Sequence, residues 1–269
     1  MVSVICILPH FEQLSHGWTL IEEIADTVPR TTDRTGNDAE KAVHPDRSHS
    51  ASGPIVNAPP AVLIVIAILI GIHLAIQFGG PDWDIWSLRN FSLIPVRFGG
   101  LKSIDMVEGS QYWSLVTYAF LHASWMHVLL NSLWFLIFGT PVARQLGTGR
   151  FLLIALISTI GGALVMIAVY WQSPIPVVGA SAAVSGLVAA AIPIMFGRPN
   201  VPLTFADYLR DRRAIIFTLV FLVMTLSSGV AIMPTFADGA RIAWEAHLGG
   251  FFAGLIAYFF MSREGVHAR

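Results

Sequence analysis

The chain has 269 residues, of which 55% are hydrophobic and only 12% charged, against about 25% charged in an average soluble domain. A formal net charge of −1 leaves no electrostatic footprint for nucleic acid. The single cysteine, Cys6, excludes an intrachain disulfide and any cysteine-pair zinc motif.

The first eleven residues, MVSVICILPHF, are apolar but have no basic start and no small-residue cleavage site, so they do not read as a signal peptide. Residues 1–59 hold eight of the 17 acidic residues, and from Asp26 the text turns to Pro, Ser, Gly and Asn. The composition predicts a largely disordered N-terminal cytoplasmic tail and linker, with one short helix over 20–28. A small folded domain is the competing reading, but so short and polar a segment has little to bury as a core.

Six apolar segments follow, over 60–78, 125–144, 150–171, 181–197, 213–233 and 243–261. Each is near the ~20 residues that cross a bilayer, and backbone in hydrocarbon must satisfy itself, so all six read as helices. The expected fold is therefore an all-α membrane protein with six transmembrane helices over residues 60–262, and a short cytoplasmic tail over 263–269. With both termini inside, twelve of the 16 Lys and Arg fall in inner segments, which is the usual sign of the charge bias. The first outer loop, from Gly79 to Ser124, is long and rich in aromatic residues, Trp83, Trp86 and Trp113 among them. It reads as an ordered structure lying partly in the outer interface. The uncharged connection QSPIPVVG before the fourth segment reads as dipping into the membrane under protein cover.

Three polar clusters stand at the outer ends of these helices, and polar groups at membrane depth are functional candidates by default. In HVLLN, His127 and Asn131 are four residues apart and share a helix face. Two donors aimed at one spot suit an oxyanion; an interhelical hydrogen-bonded pair is the simpler alternative. His122, just before them, reads as structural.

In VVGASAAVSG, Pro174 and Pro176 disfavour an earlier helix start and Gly179 lets the backbone turn. Ser181 then sits at a helix N-terminus, where free N–H groups favour developing negative charge. An N-cap serine or a packing residue is the alternative.

In EAHLGGFFAG, His247, Gly250 and Gly254 share one face. Glycines let a neighbouring helix come close, which puts His247 in a tight seam as a base for a serine or as a mere hydrogen-bonding residue. Glu245 lies about 200° round the helix from His247, poorly placed for a triad, and is expected near the outer interface beside Arg241. A nucleophile, a base and oxyanion donors are thus present, in a Ser–His dyad rather than a triad.

With these motifs in hand, the chain resembles the rhomboid intramembrane serine proteases. The matching text is YWSLVTYAFLHASWMHVLLNSLWFLIFG, then VGASAAVSG, then AHLGGFFAG. The resemblance covers residues 60–262 and implies a six-helix bundle with a membrane-embedded first loop. It implies that Ser181 is the nucleophile and His247 the general base. His127, Asn131 and the Ser181 N–H would form the oxyanion hole. Gly179, Ser185, Gly250 and Gly254 are read as structural support, with Ser185 packed beneath His247 and within reach of a hydrogen bond to it.

The implied partners are membrane-protein substrates, cut in their transmembrane segments within the lipid bilayer after a loop or fifth-helix movement admits them. No metal or other cofactor is implied. The expected location is a bacterial cytoplasmic membrane.

Two positions depart from the family pattern. Ala182 stands where the GxSG motif has its last glycine, and Ser114 follows Trp113 where relatives often carry arginine. A catalytically inactive relative that binds transmembrane helices, and a small transporter, are the competing functions; no internal repeat supports the latter.

Overall fold

The computed structural model describes residues 57–100, 107–198, 200–229 and 243–263. The expected short helix at 20–28, nearly all of the N-terminal tail, the C-terminal tail from 264, and Arg241 lie outside them. All regular structure among the described residues is helical, apart from two isolated β-bridges.

The helices follow the apolar text. Helix α1 runs over Pro60–Gly79, opened by a proline whose missing N–H would be unpaired there in any case. Helix α2 (Pro81–Phe91), a 3₁₀ turn (Pro95–Gly99), α3 (Ser110–Thr117) and a second 3₁₀ turn (Tyr118–Phe120) make up the long loop.

The second apolar segment is α4 (Trp125–Trp134), a π-turn (Phe135–Gly139) and α5 (Thr140–Leu146) in one run. Pro141 has no N–H to give, and the helix widens by one residue just before it. Gly147, at φ 83°, ends that run and α6 (Thr148–Tyr170) returns. Then come α7 (Ser181–Met195), a short α8 (Phe205–Tyr208), α9 (Arg212–Gly229) and α10 (Trp244–Arg263). Asp211 caps α9, accepting from the N–H groups of Arg213 and Ala214 at 2.9 and 3.1 Å. Its bond from the Arg213 guanidinium, with those amides, holds the carboxyl below the usual range.

Three of these helical runs, Pro60–Gly79, Trp125–Leu146 and Thr148–Tyr170, are long and apolar enough to cross a membrane. Their outer faces agree: Ile64, Phe78, Leu133, Leu164 and Val169 are all exposed. Such side chains on long helices face lipid rather than water.

Helix α7 is different, since Ala182–Pro193 are all buried. It is the central post, and α6 and α10 grip it. The contact is backbone against backbone. A β-carbon on Gly250 would overlap the Ala182 main chain, and one on Gly254 would overlap Gly186. Both pairs advance by four residues in the same direction, so α7 and α10 run parallel. On the other side, a β-carbon on Gly162 would lie 2.7 Å from Ala246 O, and one on Gly249 2.6 Å from Gly161 O. Without a hydrophobic drive between helices in lipid, such close approach is what holds them.

Gly250→Ala is expected to lower stability by about 1–3 kcal/mol, the usual cost of overpacking. Gly71, with nothing within 4 Å of an added β-carbon, is the control: Gly71→Ala should change stability by less than about 1 kcal/mol. Unfolding in detergent micelles reads both.

Candidate active site

The connection from α6 to α7 is extended, and its backbone groups are paired with the long loop. Leu93 and Val177 exchange both hydrogen bonds, at 3.0 and 2.8 Å, and Val96 N–H donates to Ser173 O at 3.0 Å. Gly179 N–H donates to Tyr118 O at 2.9 Å. These bonds satisfy an uncharged segment that has no helix of its own.

The long loop is in turn pinned around Asn90. Its Oδ1 accepts from Val107 N–H at 2.8 Å and its carbonyl from Trp113 Nε1 at 2.8 Å. Thr117 Oγ1 donates to Phe91 O at 2.9 Å, and buried Arg97 donates to Arg89 O. Anchoring therefore runs through these groups, with Ser114 turned onto Gln111 O.

Gly179 makes the turn that starts α7, at φ 122°. Its missing side chain is filled by the His127 ring: a β-carbon there would lie 2.7 Å from Nε2, with Asn131 Nδ2 at 3.9 Å. His127 and Asn131 thus converge two residues before Ser181, the first residue of α7. Asn131 Nδ2 also donates to His127 O at 3.0 Å. The first-turn amides of α7 precede the first intrahelical bond, Val184 N–H to Ala180 O, and leave donors at the helix end.

His247 stands one turn before Gly250. Extending the parallel register of Gly250 on Ala182 places it beside the 178–181 turn, and it lies within electrostatic range of His127. Both Ser181 and His247 are partly exposed. No hydrogen bond joins them in this structure. Ser185 Oγ donates to Ser181 O at 2.8 Å, so its proton is used on its own helix rather than on His247. Glu245, in the first turn of α10, is buried and accepts from Tyr170 Oη.

Two histidines complete the neighbourhood. His122 Nε2 accepts from Ala180 N–H at 3.5 Å, and its ring meets that of His127 edge-on, with centroids 5.0 Å apart. Burial, and after it the neighbouring His127, pushes His122 down to about 3. It is neutral at pH 7, with Nε2 available as acceptor. His73, on α1, is fully enclosed beside them. Sequence reasoning gave it no role, though it is the one ionisable residue in α1. Among the described residues no group of three or more His, Cys, Asp or Glu could hold a metal ion.

Residues 109–264 match the Rhomboid domain family. The chain is 32% identical over 168 residues to RHOMBOID-like protein 4 of Arabidopsis thaliana, covering 62% of this chain and 39% of that protein. It is 28% identical over 199 residues to Rhomboid protease GluP of Bacillus subtilis, covering 74% and 34%. It is 31% identical over 103 residues to Rhomboid protease GlpG of Pectobacterium atrosepticum, covering 38% and 33%. The chain thus spans well under two thirds of the length of these curated relatives.

Gly179→Ala is expected to displace the His127 ring and strain the turn. A left-handed-side φ and a tight contact together should cost about 1–3 kcal/mol, read as a lowered unfolding midpoint. Gly147→Ala, at φ 83° with nothing within 4 Å of an added β-carbon, is the control for strain without contact.

Proposed function

This chain belongs to the rhomboid family of integral membrane proteins, and we propose that it is an intramembrane serine endopeptidase working by a Ser181–His247 dyad. The observation that carries the reading is the meeting, at the N-terminus of α7, of the Gly179 turn with His127 and Asn131. A turn built that way offers several N–H donors around one hydroxyl. Six spanning helices over residues 60–262, a partly embedded long loop, and cytoplasmic tails over 1–59 and 263–269 belong to the same proposal. So does a bacterial cytoplasmic membrane as its location.

In this reading His247 takes the Ser181 Oγ proton as the oxygen attacks the carbonyl carbon of a substrate's transmembrane segment. The negative charge moves to the former carbonyl oxygen. The Ser181 amide, His127 and Asn131 Nδ2 stabilise it there; one such donor is typically worth about 10²–10³ in rate. The C–N bond then breaks, and His247 returns its proton to the leaving amine. That leaves an acyl group on Ser181; water, deprotonated by His247, attacks it, the Oγ–acyl bond breaks, and His247 returns the proton to Ser181 Oγ. The Ser185 hydroxyl, bonded to Ser181 O, takes no part.

One observation favours a second reading, a relative that binds transmembrane helices without cutting them: alanine at position 182. The alanine is helical, with no positive φ, and buried. That supports tolerance of the change.

The test uses the full chain in proteoliposomes with a generic transmembrane substrate. Ser181→Ala and His247→Ala are each expected to abolish cleavage, and Ser185→Ala to keep most of it. Wild type that cuts nothing while Ala182→Gly cuts would favour the binder. Cleavage lost in Ser185→Ala and kept in Ser181→Ala would move the nucleophile.

A further inference from the structure

Helix α10 meets two neighbours with two adjoining faces. A β-carbon on Gly162 would press on Ala246 O, one on Gly161 would overlap the Ala253 side chain, and one on Gly249 would press on Gly161 O. Positions 246, 249 and 253 therefore face α6. Gly250 and Gly254 lie on Ala182 and Gly186 and so face α7. At about 100° per residue, position 245 falls at the edge of the α6 face and position 247 on the α7 face.

The Glu245 side chain is 3% exposed and accepts a hydrogen bond from the hydroxyl of Tyr170, the last residue of α6. A carboxylate so enclosed is costly unless a donor meets it. In the first turn of α10 it also stands at the end of the helix where the dipole favours negative charge. Glu245 is about 200° round from His247, too far to join it in a triad. That same angle suits it to hold the opposite side of the same turn.

The glycine seam limits how closely α10 approaches its neighbours and forbids a shift along them. It gives the first turn no polar tie, and the leading N–H groups of a helix have no partners within it. The Tyr170–Glu245 bond supplies a tie there, two residues before His247.

The geometry points to Glu245 as a positioning residue for His247: its carboxylate, held by Tyr170 Oη, fixes the rotation of the first turn of α10 and so the aim of the imidazole at the 178–181 turn. The role rests on the reading of His247 as the base given above. Glu245 is not a catalytic residue, since it lies off the α7 face where the reacting atoms meet.

Three substitutions separate the bond from mere packing, each in the full chain in proteoliposomes with a generic transmembrane substrate. Tyr170→Phe removes the donor, Glu245→Met removes the acceptor at similar length, and Glu245→Gln keeps an acceptor in its amide oxygen. Tyr170→Phe and Glu245→Met are each expected to lower kcat about 10-fold, short of the ~10²-fold that a misplacement of about 1 Å can cost. KM should stay within about twofold, as for an interaction that matters after binding. Glu245→Gln should keep kcat within about threefold of wild type, since a neutral acceptor makes the same bond more weakly. The double variant Tyr170→Phe/Glu245→Met should be no slower than the slower single one, because both remove one bond.

Single variants that keep wild-type kcat, whether or not they melt lower, would make the bond structural only and overturn the proposal. So would losses that multiply in the double variant, or a Glu245→Gln as slow as Glu245→Met. Wild type that cuts no substrate would sink the protease reading instead. Amide hydrogen exchange over 244–247 then decides whether the bond fixes the turn: faster exchange in Tyr170→Phe supports it, and unchanged exchange removes it.

Discussion

The backbone contact of α7 with α10 and α6 is the constraint from which the rest of the site takes its position. Gly250 and Gly254 let α10 lie on Ala182 and Gly186, and Gly161 and Gly162 let α6 meet Gly249 and Ala246. The first two turns of α7, SAAVSG, offer little side chain to lock against a neighbour. The register of α7 comes instead from which residues lack a β-carbon, since any shift drives a methyl group into backbone. Ser181 is the first residue of the post, and His247 is one turn above Gly250. One seam therefore sets where both lie.

Position 182 shows how tightly that seam is specified. A residue there must be small, because Gly250 lies on its main chain and a β-carbon on Gly162 would overlap its side chain. It need not be glycine for conformation, since its φ is helical. The Ala182 methyl occupies space that Gly162 leaves open, and the two small residues are complementary. Similarly, the loop that lacks an arginine after Trp113 has other anchors: Trp113 Nε1, Thr117 Oγ1, Val107 N–H and Arg97 all reach main-chain or side-chain oxygens at 89–91.

Much of this was legible in one dimension. Hydropathy runs located the helices, and Pro174, Pro176 and Gly179 placed the start of α7 at Ser181. The spacing of His127 with Asn131, and of His247 with Gly250 and Gly254, correctly put each set on one helix face. Contacts between distant segments were not legible. Nothing local says that Leu93 pairs with Val177, or that Glu245 is buried against Tyr170. The π-turn before Pro141 depends on how a proline's lost bond is absorbed, and that is settled by tertiary packing. His73 was overlooked because a lone histidine in an apolar run carries no pattern; only its burial against Trp125 sets it apart.

The shortness of α7 ties these strands together. Its 15 residues make a helix of about 22 Å, while the 23 of α6 make about 34 Å. Gly162 is level with Ala182, and α6 continues eight residues further, to Tyr170, which is about 12 Å at 1.5 Å per residue. Ser181 therefore starts its helix well below the end of its neighbour, and the 171–180 segment has to fill the step without being helical. Irregular backbone is tolerated there only if every polar group is met. Leu93, Val96, Tyr118 and His122 supply the partners, and all four belong to the long loop or its end. The recess that lowers a helix N-terminus and its free amides to Ser181 therefore depends on the loop that covers it. The same bonds that close the fold over the step also shape the turn that presents the hydroxyl.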